Sequence, residues 1–569
     1  MKKRILSMIL AAIMLMSVLT ACGTYGDQNT TGNPVNDRPK TKEGYGSVTF
    51  SYTEPNTLNL LTSQSNLDKD VFYLISVMLY RPFEDKVYPE MATGYTVSED
   101  ACTYTYSLKE AYYTDGTQIV AADFVYYILN SFTCKNSFLG SIKNGKKFMA
   151  GECEASEVGV YAKDDLTLVV ELEEPSAEFV PEMQIYPLKQ SYAESKGDAL
   201  GGTPNDFLCS GPYVLTEWVY GASLSFEKNP NYLDAENSFQ IAKLKMIHGA
   251  DENAKYNMFI GGEVDVLLSV GAETQSRLAE YAGKKYMTGA IQGLEFNTTG
   301  FYFDGTTFAQ KDPAVAALLA NKNFRMALCY ALNREAIVNV VDEKSAATNR
   351  YFDTAAGTEA GKTFADQNPI EVAPVAGDEA LAKQYLATAL QELGYSSVSE
   401  LPTIKYLTFE NANFRLMAET IQSEWKRVLG LENIEIELKP IQDAIMSMVY
   451  MNYDIYYQAT SVEPQNPYAS MNYWVTGGAL SDVMQAGAPF SSIHSNADFD
   501  AKVAQAKITM DTAARNVLLA EAEEMFLQSY LFIPILNQGS YYVVNSRVQG
   551  FVYADAVPGF MFNNAYVVE

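Results

Sequence analysis

One segment of the sequence, Tyr453–Tyr468, places an acidic side chain where a ligand could meet it. Residues Ile455–Tyr457 are aromatic and β-branched and are typical of a strand, and two prolines further on indicate a loop. Glu463 lies where the strand gives way to the loop, so a rigid scaffold could hold its carboxylate and still present it to a ligand. Taken alone, the segment favours the simpler interpretation that Glu463 is one of the many solvated acids of a chain with 69 Asp and Glu residues.

The sequence lacks the common motifs of catalytic sites. It holds two histidines, His248 and His494, and it contains no zinc-protease helix motif, no nucleophile-elbow motif, no phosphate-binding loop and no dinucleotide-binding loop. Pairs of carboxylates are too common in so acidic a chain to argue for or against a glycosidase. We therefore predict that the protein is not an enzyme and that it binds no cofactor.

Five cysteines follow Cys22, and their spacing does not match a metal site. None forms a Cys-x-x-Cys pair, so no zinc site is predicted. Because five is an odd number, at least one thiol is free unless it pairs with another chain. The pattern predicts mostly buried thiols and leaves room for one disulfide whose partners the spacing does not identify. These cysteines are Cys102, Cys134, Cys153, Cys209 and Cys329.

The N-terminus has the parts of an export signal. Three basic residues precede an apolar run, Ile5–Leu19, which is too short and wrongly flanked for a membrane span. The following Leu19–Cys22 resembles the lipobox of bacterial lipoproteins, in which the cysteine is lipidated and becomes the first mature residue. We therefore predict a signal peptide at residues 1–21 and a lipid on Cys22 that anchors the protein to the outer face of the cell membrane. The alternative is an ordinary secretory signal that happens to precede a cysteine.

Residues 22–44 are predicted to form a disordered tether, because they are rich in small and polar residues and almost lack large apolar side chains. The folded body then begins near Tyr45 and is long enough for two or three domains. The formal net charge of -28 at pH 7 argues against nucleic acid or anionic lipid as a partner. We expect this acidity to keep the body soluble, and we expect a monomer.

Hydrophobic periodicity predicts helices and strands throughout the body. Tyr104–Leu108 alternates as a strand, and Asp115 with the glycine after it marks a tight turn. A helix opens near Ala121, and the apolar residues predicted for its buried face are Phe124, Tyr127, Ile128 and Phe132. Further predicted elements are a helix from Asp378 to Gly394, a helix that ends at Gly430, a helix capped by Asn333 and a strand from Ile434 to Leu438.

Six short segments of the body carry recognisable patterns. In chain order they are Glu54–Asn59, Pro89–Asp100, Ser210–Tyr213, Lys228–Tyr232, Gly262–Asp265 and Asn323–Arg334. Their residues and their order resemble the family 5 extracellular solute-binding proteins, the oligopeptide-binding components of ABC importers. No single segment is decisive, but the six occur in the order of the family, and the resemblance continues over nearly the whole mature chain. Asn59 departs from the pattern, because the family usually has an aspartate there.

The resemblance implies an α/β fold of the periplasmic-binding-protein type (type II, cluster C). In this fold two lobes enclose a ligand by hinge closure, and an accessory domain lies on the first lobe. Following the family's pattern, the first lobe would comprise residues 45–66, 196–288 and 541–569. The accessory domain would comprise residues 67–195, and the second lobe residues 289–540.

The resemblance also gives Glu463 a role. In peptide-binding members, the segment that begins Tyr-Asp leads to an aspartate nine residues after that Asp, and this aspartate pairs with the α-ammonium group of the peptide. Counting from Asp454, Glu463 occupies this position. An enclosed ammonium group needs a charge partner, so the functional interpretation of Glu463 is now favoured. The chain departs from the family where Thr460 replaces a usual tryptophan and where Tyr457 replaces a basic residue found in some members.

The strand itself and nearby aromatic residues complete the predicted ligand site. An extended segment can offer main-chain hydrogen bonds to a peptide, as in strand addition. We therefore predict ligand contacts from Ala459, Ser461 and Val462 in addition to Glu463. Tyr457 and Tyr468 could line side-chain pockets, although a place in the core is the preferred interpretation for both rings.

These observations favour a lipid-anchored binding protein that captures oligopeptides and delivers them to the permease subunits of an ABC transporter. One alternative is the same fold used to bind a sugar, a metal chelate or a signalling peptide. Another is a lipid-anchored hydrolase, which the missing catalytic motifs disfavour. The two histidines also count against a histidine-dependent nickel or haem site.

Overall fold

The computed structural model describes residues 46–63, 65–83, 86–137, 139–176, 179, 185–248, 251–278, 280–304, 306–353, 362–461, 467–476, 494–553 and 559–568. Within these ranges no helix has the length and the apolar character that crossing a membrane requires. The predicted signal peptide and tether, with Cys22, lie outside the described residues, and so do Val462 and Glu463.

The strands belong to one large sheet and to several small ones. In chain order they are β1 (Ser47–Tyr52), β2 (Tyr80–Phe83), β3 (Lys86–Pro89), β4 (Ala92–Val97), β5 (Thr103–Leu108), β6 (Val160–Asp164), β7 (Thr167–Glu171), β8 (Tyr213–Val219), β9 (Ser223–Lys228), β10 (Lys243–His248), β11 (Val266–Val270), β12 (Ala282–Phe296), β13 (Phe301–Phe303), β14 (Phe308–Gln310), β15 (Ala346–Ala347), β16 (Ile404–Phe409), β17 (Ile434–Lys439), β18 (Ile455–Ser461), β19 (Phe532–Val544), β20 (Val548–Gln549), β21 (Val552–Tyr553), β22 (Phe560–Met561) and β23 (Tyr566–Val567).

Helices connect these strands and cover the sheet. The α-helices are α1 (Asn66–Ile75), α2 (Ala121–Asn130), α3 (Phe132–Ser137), α4 (Gly145–Met149), α5 (Gln190–Lys196), α6 (Glu252–Ile260), α7 (Ala272–Arg277), α8 (Pro313–Ala320), α9 (Lys322–Tyr330), α10 (Arg334–Val341), α11 (Phe364–Gln367), α12 (Glu379–Leu393), α13 (Ala412–Leu429), α14 (Ile441–Val449), α15 (Pro467–Asn472), α16 (Ala497–Ile508) and α17 (Thr512–Leu527). Short 3₁₀ helices occur at Leu139–Ser141, Ala155–Glu157, Gly197–Ala199, Pro204–Asp206 and Val398–Glu400.

The large sheet has the strand order β17-β16-β18-β12-β19-β11-β1-β10-β9-β8, with β15 added to β19. Each of its two halves contains parallel strands. In the first half β1 pairs in parallel with β10 and β11, and in the second half β16 pairs in parallel with β17 and β18. Parallel neighbours need crossover connections, and helices such as α13 and α14 supply them in the second half.

Two long antiparallel strands, β12 and β19, run through both halves of the sheet. The first part of β12 pairs with the end of β19 as far as Met287 opposite Gly539, and its second part pairs with the start of β19 from Ile291 opposite Asn537. The register shifts between these two stretches. Gly539 has no room for a side chain, because a Cβ atom there would lie 1.8 Å from the main-chain oxygen of Lys344. The chain thus crosses between the two halves at a close main-chain contact.

The region predicted as the accessory domain, residues 67–195, has its own small sheets. These are the four-stranded sheet β4-β5-β7-β6 and the hairpin of β2 and β3. Its buried side chains belong to the same hydrophobic cluster as those of β1, β8, β9 and β10. The region therefore packs on the first half of the large sheet through a continuous core. The boundaries given above for the lobes and the accessory domain stay a prediction.

Two of the recognisable segments meet at a buried ion pair in this core. Arg81 Nε lies 2.7 Å from Glu90 Oε1, and the Tyr232 hydroxyl donates to the same oxygen at 2.6 Å. The other carboxylate oxygen of Glu90 accepts from the main-chain N–H of Met78. Glu90 and Tyr232 are far apart in the sequence, so the hydrogen bond between them joins the accessory region to the segment that follows β9.

A third recognisable segment holds the C-terminal part of the chain to the first strand. The Asp265 carboxylate pairs with the Arg547 guanidinium at 2.6 Å and accepts a hydrogen bond from the main-chain N–H of Thr49 at 2.9 Å. Arg547 also donates to the main-chain oxygen of Ser47. The recognisable segments that contain Asp265 and Glu90 therefore both have structural roles.

The predicted helix ends are confirmed. Asp378 caps α12 by accepting hydrogen bonds from two main-chain N–H groups of the first turn, and Gly394 ends the helix with a φ of +78°. Gly430 ends α13 in the same left-handed conformation, and the Asn333 side chain caps α10. Such positions can be read from the sequence because they depend only on neighbouring residues.

The predicted position of Phe132 is wrong. The helix α2 buries Phe124, Tyr127 and Ile128 as expected, but it ends at Asn130. Ser131 has an extended conformation, so Phe132 begins the separate helix α3 and its side chain is 42% exposed. The hydrophobic periodicity of the sequence continues past Asn130, but the helix ends there.

The five cysteines that the structure describes are all free thiols. Cys134, Cys209 and Cys329 are buried, which agrees with the prediction, while Cys102 and Cys153 are half-buried. The disulfide for which the sequence left room is therefore not formed among them. Across the described residues there is also no group of three or more His, Cys, Asp or Glu side chains placed to hold a metal ion.

Candidate functional site

The parallel strands of both halves of the sheet end at edges suited to ligand binding. In the first half the carboxyl ends include Tyr52 of β1 and His248 of β10, and in the second half they include Phe409 of β16 and Ser461 of β18. In open α/β sheets, ligands bind outside the carboxyl ends of the strands. The strand β18 therefore leads into the predicted ligand segment at its carboxyl end.

The structure places Ala459 and Ser461 within β18. Ala459 is opposite Gln292 of β12, and Ser461 is opposite Ala290. The predicted strand is confirmed, and it continues from Ile455 to Ser461. The next residues, Val462 and Glu463, lie outside the described residues, so the contacts of the predicted ligand acid stay a prediction.

The two edges of β18 are paired over different lengths. The strand β12 pairs with all of Ile455–Ser461, whereas β16 pairs with β18 only at Ile455 and Tyr456. Among the described residues, no strand pairs with β18 beyond Tyr456 on the side of β16. An unpaired strand edge offers N–H and C=O groups to another chain. The main chain around Ala459 is thus placed for strand addition by a peptide.

Tyr457 and Tyr468 lie in the core. Tyr457 is 1% exposed, and its hydroxyl donates to Gln292 Oε1 at 3.1 Å. Tyr468 is 2% exposed, and its hydroxyl donates to Asn472 Oδ1 at 3.1 Å. Their burial agrees with the preference for a core role, and a contact of either ring with a ligand stays a prediction.

A hydrogen-bonded chain supports β18 from one face of the sheet. The Tyr351 hydroxyl lies 3.2 Å from Thr460 Oγ1, and the indole N–H of Trp474 donates to the Tyr351 hydroxyl at 3.0 Å. Tyr351 and Trp474 are both fully buried. Thr460, at the position where the family usually has a tryptophan, therefore contacts a fixed aromatic cluster.

A buried ion pair fixes the segment that carries Tyr351. The Glu523 carboxylate of α17 is 0% exposed and lies 2.7 Å from Arg350 Nη2. It also accepts hydrogen bonds from Arg350 Nε at 3.0 Å, from the main-chain N–H of Tyr351 at 2.8 Å and from that of Phe352 at 3.1 Å. Four donors on one carboxylate hold the segment 350–352 against the sheet.

Glu295 is an acid inside the aromatic cluster beneath β18. Tyr453 donates to Glu295 Oε1 at 2.5 Å, and burial raises the pKa of Glu295 to about 7, although this hydrogen bond lowers it. The folded protein therefore holds this proton to a higher pH than the unfolded chain does. The stability that Glu295 contributes is full below its ordinary pKa of 4.5 and is lost as the pH rises through about 7.

Asp454, which follows Tyr453 at the start of the predicted ligand segment, has a structural role. One of its carboxylate oxygens lies 2.6 Å from Lys311 Nζ, and the other accepts a hydrogen bond from the main-chain N–H of Lys405 at 2.9 Å. Both side chains of the ion pair are buried or nearly so. Asp454 thus fixes the start of β18, and the ligand segment begins from a rigid point.

Sequence reasoning missed the residues that support β18, namely Tyr351, Arg350, Glu523 and Glu295. They come from three distant parts of the chain, and local periodicity carries no information about such contacts. Only Glu295 left a signal, because it is the one acid of β12 and stands between Leu294 and Phe296.

Comparison with known proteins places the chain among binding proteins of one family. The family model described as "Bacterial extracellular solute-binding proteins, family 5 Middle" matches residues 86–482. The dipeptide-binding protein DppE of Bacillus subtilis is 26% identical over 476 residues, which cover 82% of this chain and 81% of that protein. The oligopeptide-binding protein OppA of the same organism is 25% identical over 592 residues, which cover 100% of both chains.

A solved structure has the same fold. Listeria monocytogenes OppA bound to peptide superimposes with a TM-score of 0.68 at 19% identity, over 93% of this chain and 100% of that chain. The predicted α/β fold with two lobes is thereby confirmed. Since the matched residues 86–482 make up well over half of the sequence, the chain belongs to the family 5 bacterial extracellular solute-binding proteins.

Proposed function

We propose that the protein captures oligopeptides between its two lobes and delivers them to the permease subunits of an ABC importer. The observation that carries this proposal is the match to an oligopeptide-binding protein over the full length of both chains. The edge of β18 beyond Tyr456, with which no described strand pairs on the side of β16, supports it, because a peptide can add there as a strand. Main-chain recognition of this kind tolerates many side chains, as an oligopeptide importer requires.

The proposed ligand site combines this strand edge with the acid that follows it. Ala459, Ser461 and Val462 offer main-chain groups, and Glu463 pairs with the α-ammonium group of the peptide. Tyr457 and Tyr468 support the strand from the core and could border side-chain pockets. The supporting contacts of Thr460 and Asp454 keep the strand rigid, which favours tight binding because little freedom is lost when the peptide arrives.

Peptide binding is tested with the purified protein. Mass spectrometry of the molecules that co-purify with it should identify peptides, and calorimetric titration should then give saturable binding of the same peptides made by synthesis. Small-angle scattering should give a smaller radius of gyration for the complex than for the free protein, because closure of two lobes compacts the molecule. A sugar or a metal chelate in place of peptides, or an unchanged radius, would contradict the proposal.

We also propose that lipid on Cys22 anchors the protein to the outer face of the cell membrane. Cys22→Ala should release the protein into the medium or the soluble fraction, because it removes the attachment point that the N-terminal pattern provides. Fractionation of cells after a high-salt wash measures this, with Cys102→Ala as the matched control that should stay on the membrane. If the Cys22→Ala variant still sediments with membranes, the anchor is elsewhere.

A further inference from the structure

An ion pair joins the accessory region, residues 67–195, to a helix on the second half of the large sheet. Lys507 Nζ, near the end of α16, lies 3.4 Å from Oε1 of Glu174, which follows β7. The two residues are 333 positions apart in the sequence. A cavity of about 240 Å³ lies beside the pair, and it is lined by Lys507 on one side and by the accessory region on the other, including Lys146 and Lys147.

The two partners of this ion pair are attached to separate hydrophobic cores. The strand β7, which precedes Glu174, packs into the cluster that also holds the side chains of β1, β8, β9 and β10. The helix α16 packs Phe499 and Val503 into a different cluster, which also holds Tyr456 of β18. A movement of one half of the sheet relative to the other would therefore change the distance between Glu174 and Lys507.

The path of α17 shows on which side of the sheet the ion pair lies. Near the end of this helix Phe526 stacks on Phe532, the first residue of β19, which is in one row with the start of β18. One turn earlier Glu523 holds segment 350–352, which reaches Thr460 near the end of β18. The start of α17 therefore lies toward the end of β18. Because α16 ends just before α17 begins, the ion pair lies on the side of the predicted ligand segment.

We propose that the ion pair of Glu174 and Lys507 is a latch that forms across the mouth of the cleft when the protein closes on a peptide. This inference rests on the proposed function, because it requires two lobes that close around a ligand. A contact that is made in only one conformation shifts the equilibrium toward that conformation. The latch thus retains the peptide without touching it, and it gives the accessory region a part in ligand binding.

The test is Glu174→Lys, which places a second ammonium group opposite Lys507 and beside Lys146 and Lys147, so that repulsion replaces attraction. We expect affinity for the best-bound member of a set of unmodified alanine peptides of two to six residues to fall about threefold to tenfold at low ionic strength. High salt should reduce this difference, since the charges are partly exposed. The dissociation rate should account for the change, because the latch forms after the peptide has entered.

Glu521→Lys is the matched control. Glu521 is 50% exposed, compared with 59% for Glu174, and it pairs with Lys502 of the same helix α16. Both of these partners lie in the hairpin of α16 and α17, so the same change of charge should leave peptide affinity nearly unchanged. The charge swap that combines Glu174→Lys with Lys507→Glu restores an attractive pair and should recover most of the lost affinity.

Carbodiimide coupling, which joins a carboxylate directly to a neighbouring ammonium group, tests the link to closure. Mass spectrometry should find more of the bond between Glu174 and Lys507 when the alanine peptide is present at saturation than when it is absent. Equal yields, or equal peptide affinities of Glu174→Lys and Glu521→Lys, would overturn the latch and leave the proposed function in place. If the wild type binds none of the peptides, the proposed function fails, and this inference fails with it. Should Glu174→Lys not fold, Lys507→Gln takes its place, with Lys502→Gln as its control.

Discussion

Glu463→Gln is expected to weaken peptide binding 30-fold to several-thousand-fold. If the Glu463 carboxylate holds the α-ammonium group of the peptide in a closed cleft, the substitution leaves a buried cation without its charge partner. Such a loss costs about 2 to 5 kcal/mol of binding free energy. At about 1.4 kcal/mol for each tenfold change in affinity, this gives the expected range. Calorimetric titration of wild type and variant with the same peptide measures it.

The role of Glu463 is separated from a general effect of charge by two controls. Glu435→Gln removes an exposed acid on β17 and should leave the affinity nearly unchanged. An N-acetylated peptide lacks the ammonium charge, so it should bind the wild type poorly and lose little more with Glu463→Gln. Together the two proteins and two peptides form a double-mutant cycle. A coupling energy near zero would remove Glu463 from the site and leave the peptide-binding fold in place.

Local signals in the sequence were enough to predict the helices and strands named above and the family, because each of these predictions depends on short stretches of chain. The cap at Asp378 and the left-handed Gly394 are examples, since a helix end is decided by the residues within one turn of it. Phe132 marks the limit of this reasoning. Its spacing fits the buried face of α2, but the chain leaves the helical conformation at Ser131 and the ring becomes exposed.

The side-chain contacts that hold β18 could not be predicted, because they join residues that are distant in the sequence. Arg350 and Glu523 are separated by 173 positions, and neither stands in a pattern that distinguishes it from the many charged residues of the surface. The six recognisable segments were informative about the family but not about their own roles. Glu90 and Tyr232, which come from two of them, meet in the core, where they hydrogen-bond to each other.

Glu523→Gln is expected to destabilise the protein by about 3 to 5 kcal/mol, because it breaks the buried ion pair with Arg350. A glutamine also presents an NH₂ group where the carboxylate now has an oxygen. It therefore cannot accept all of the hydrogen bonds from Arg350 and from the main chain of Tyr351 and Phe352. Denaturant unfolding of the ligand-free protein, followed by circular dichroism, measures the loss.

Glu227→Gln is the matched control for this variant. Glu227 pairs with Lys243 at 2.7 Å, but both side chains are more than half exposed, so water replaces the lost partner and stability should change little. Peptide affinity should fall in Glu523→Gln as well, since the segment that it loosens carries the Tyr351 hydroxyl to Thr460 of β18. If Glu523→Gln unfolds at the same denaturant concentration as Glu227→Gln, the buried pair does not hold segment 350–352. The rigidity of β18 must then come from Asp454 and Lys311.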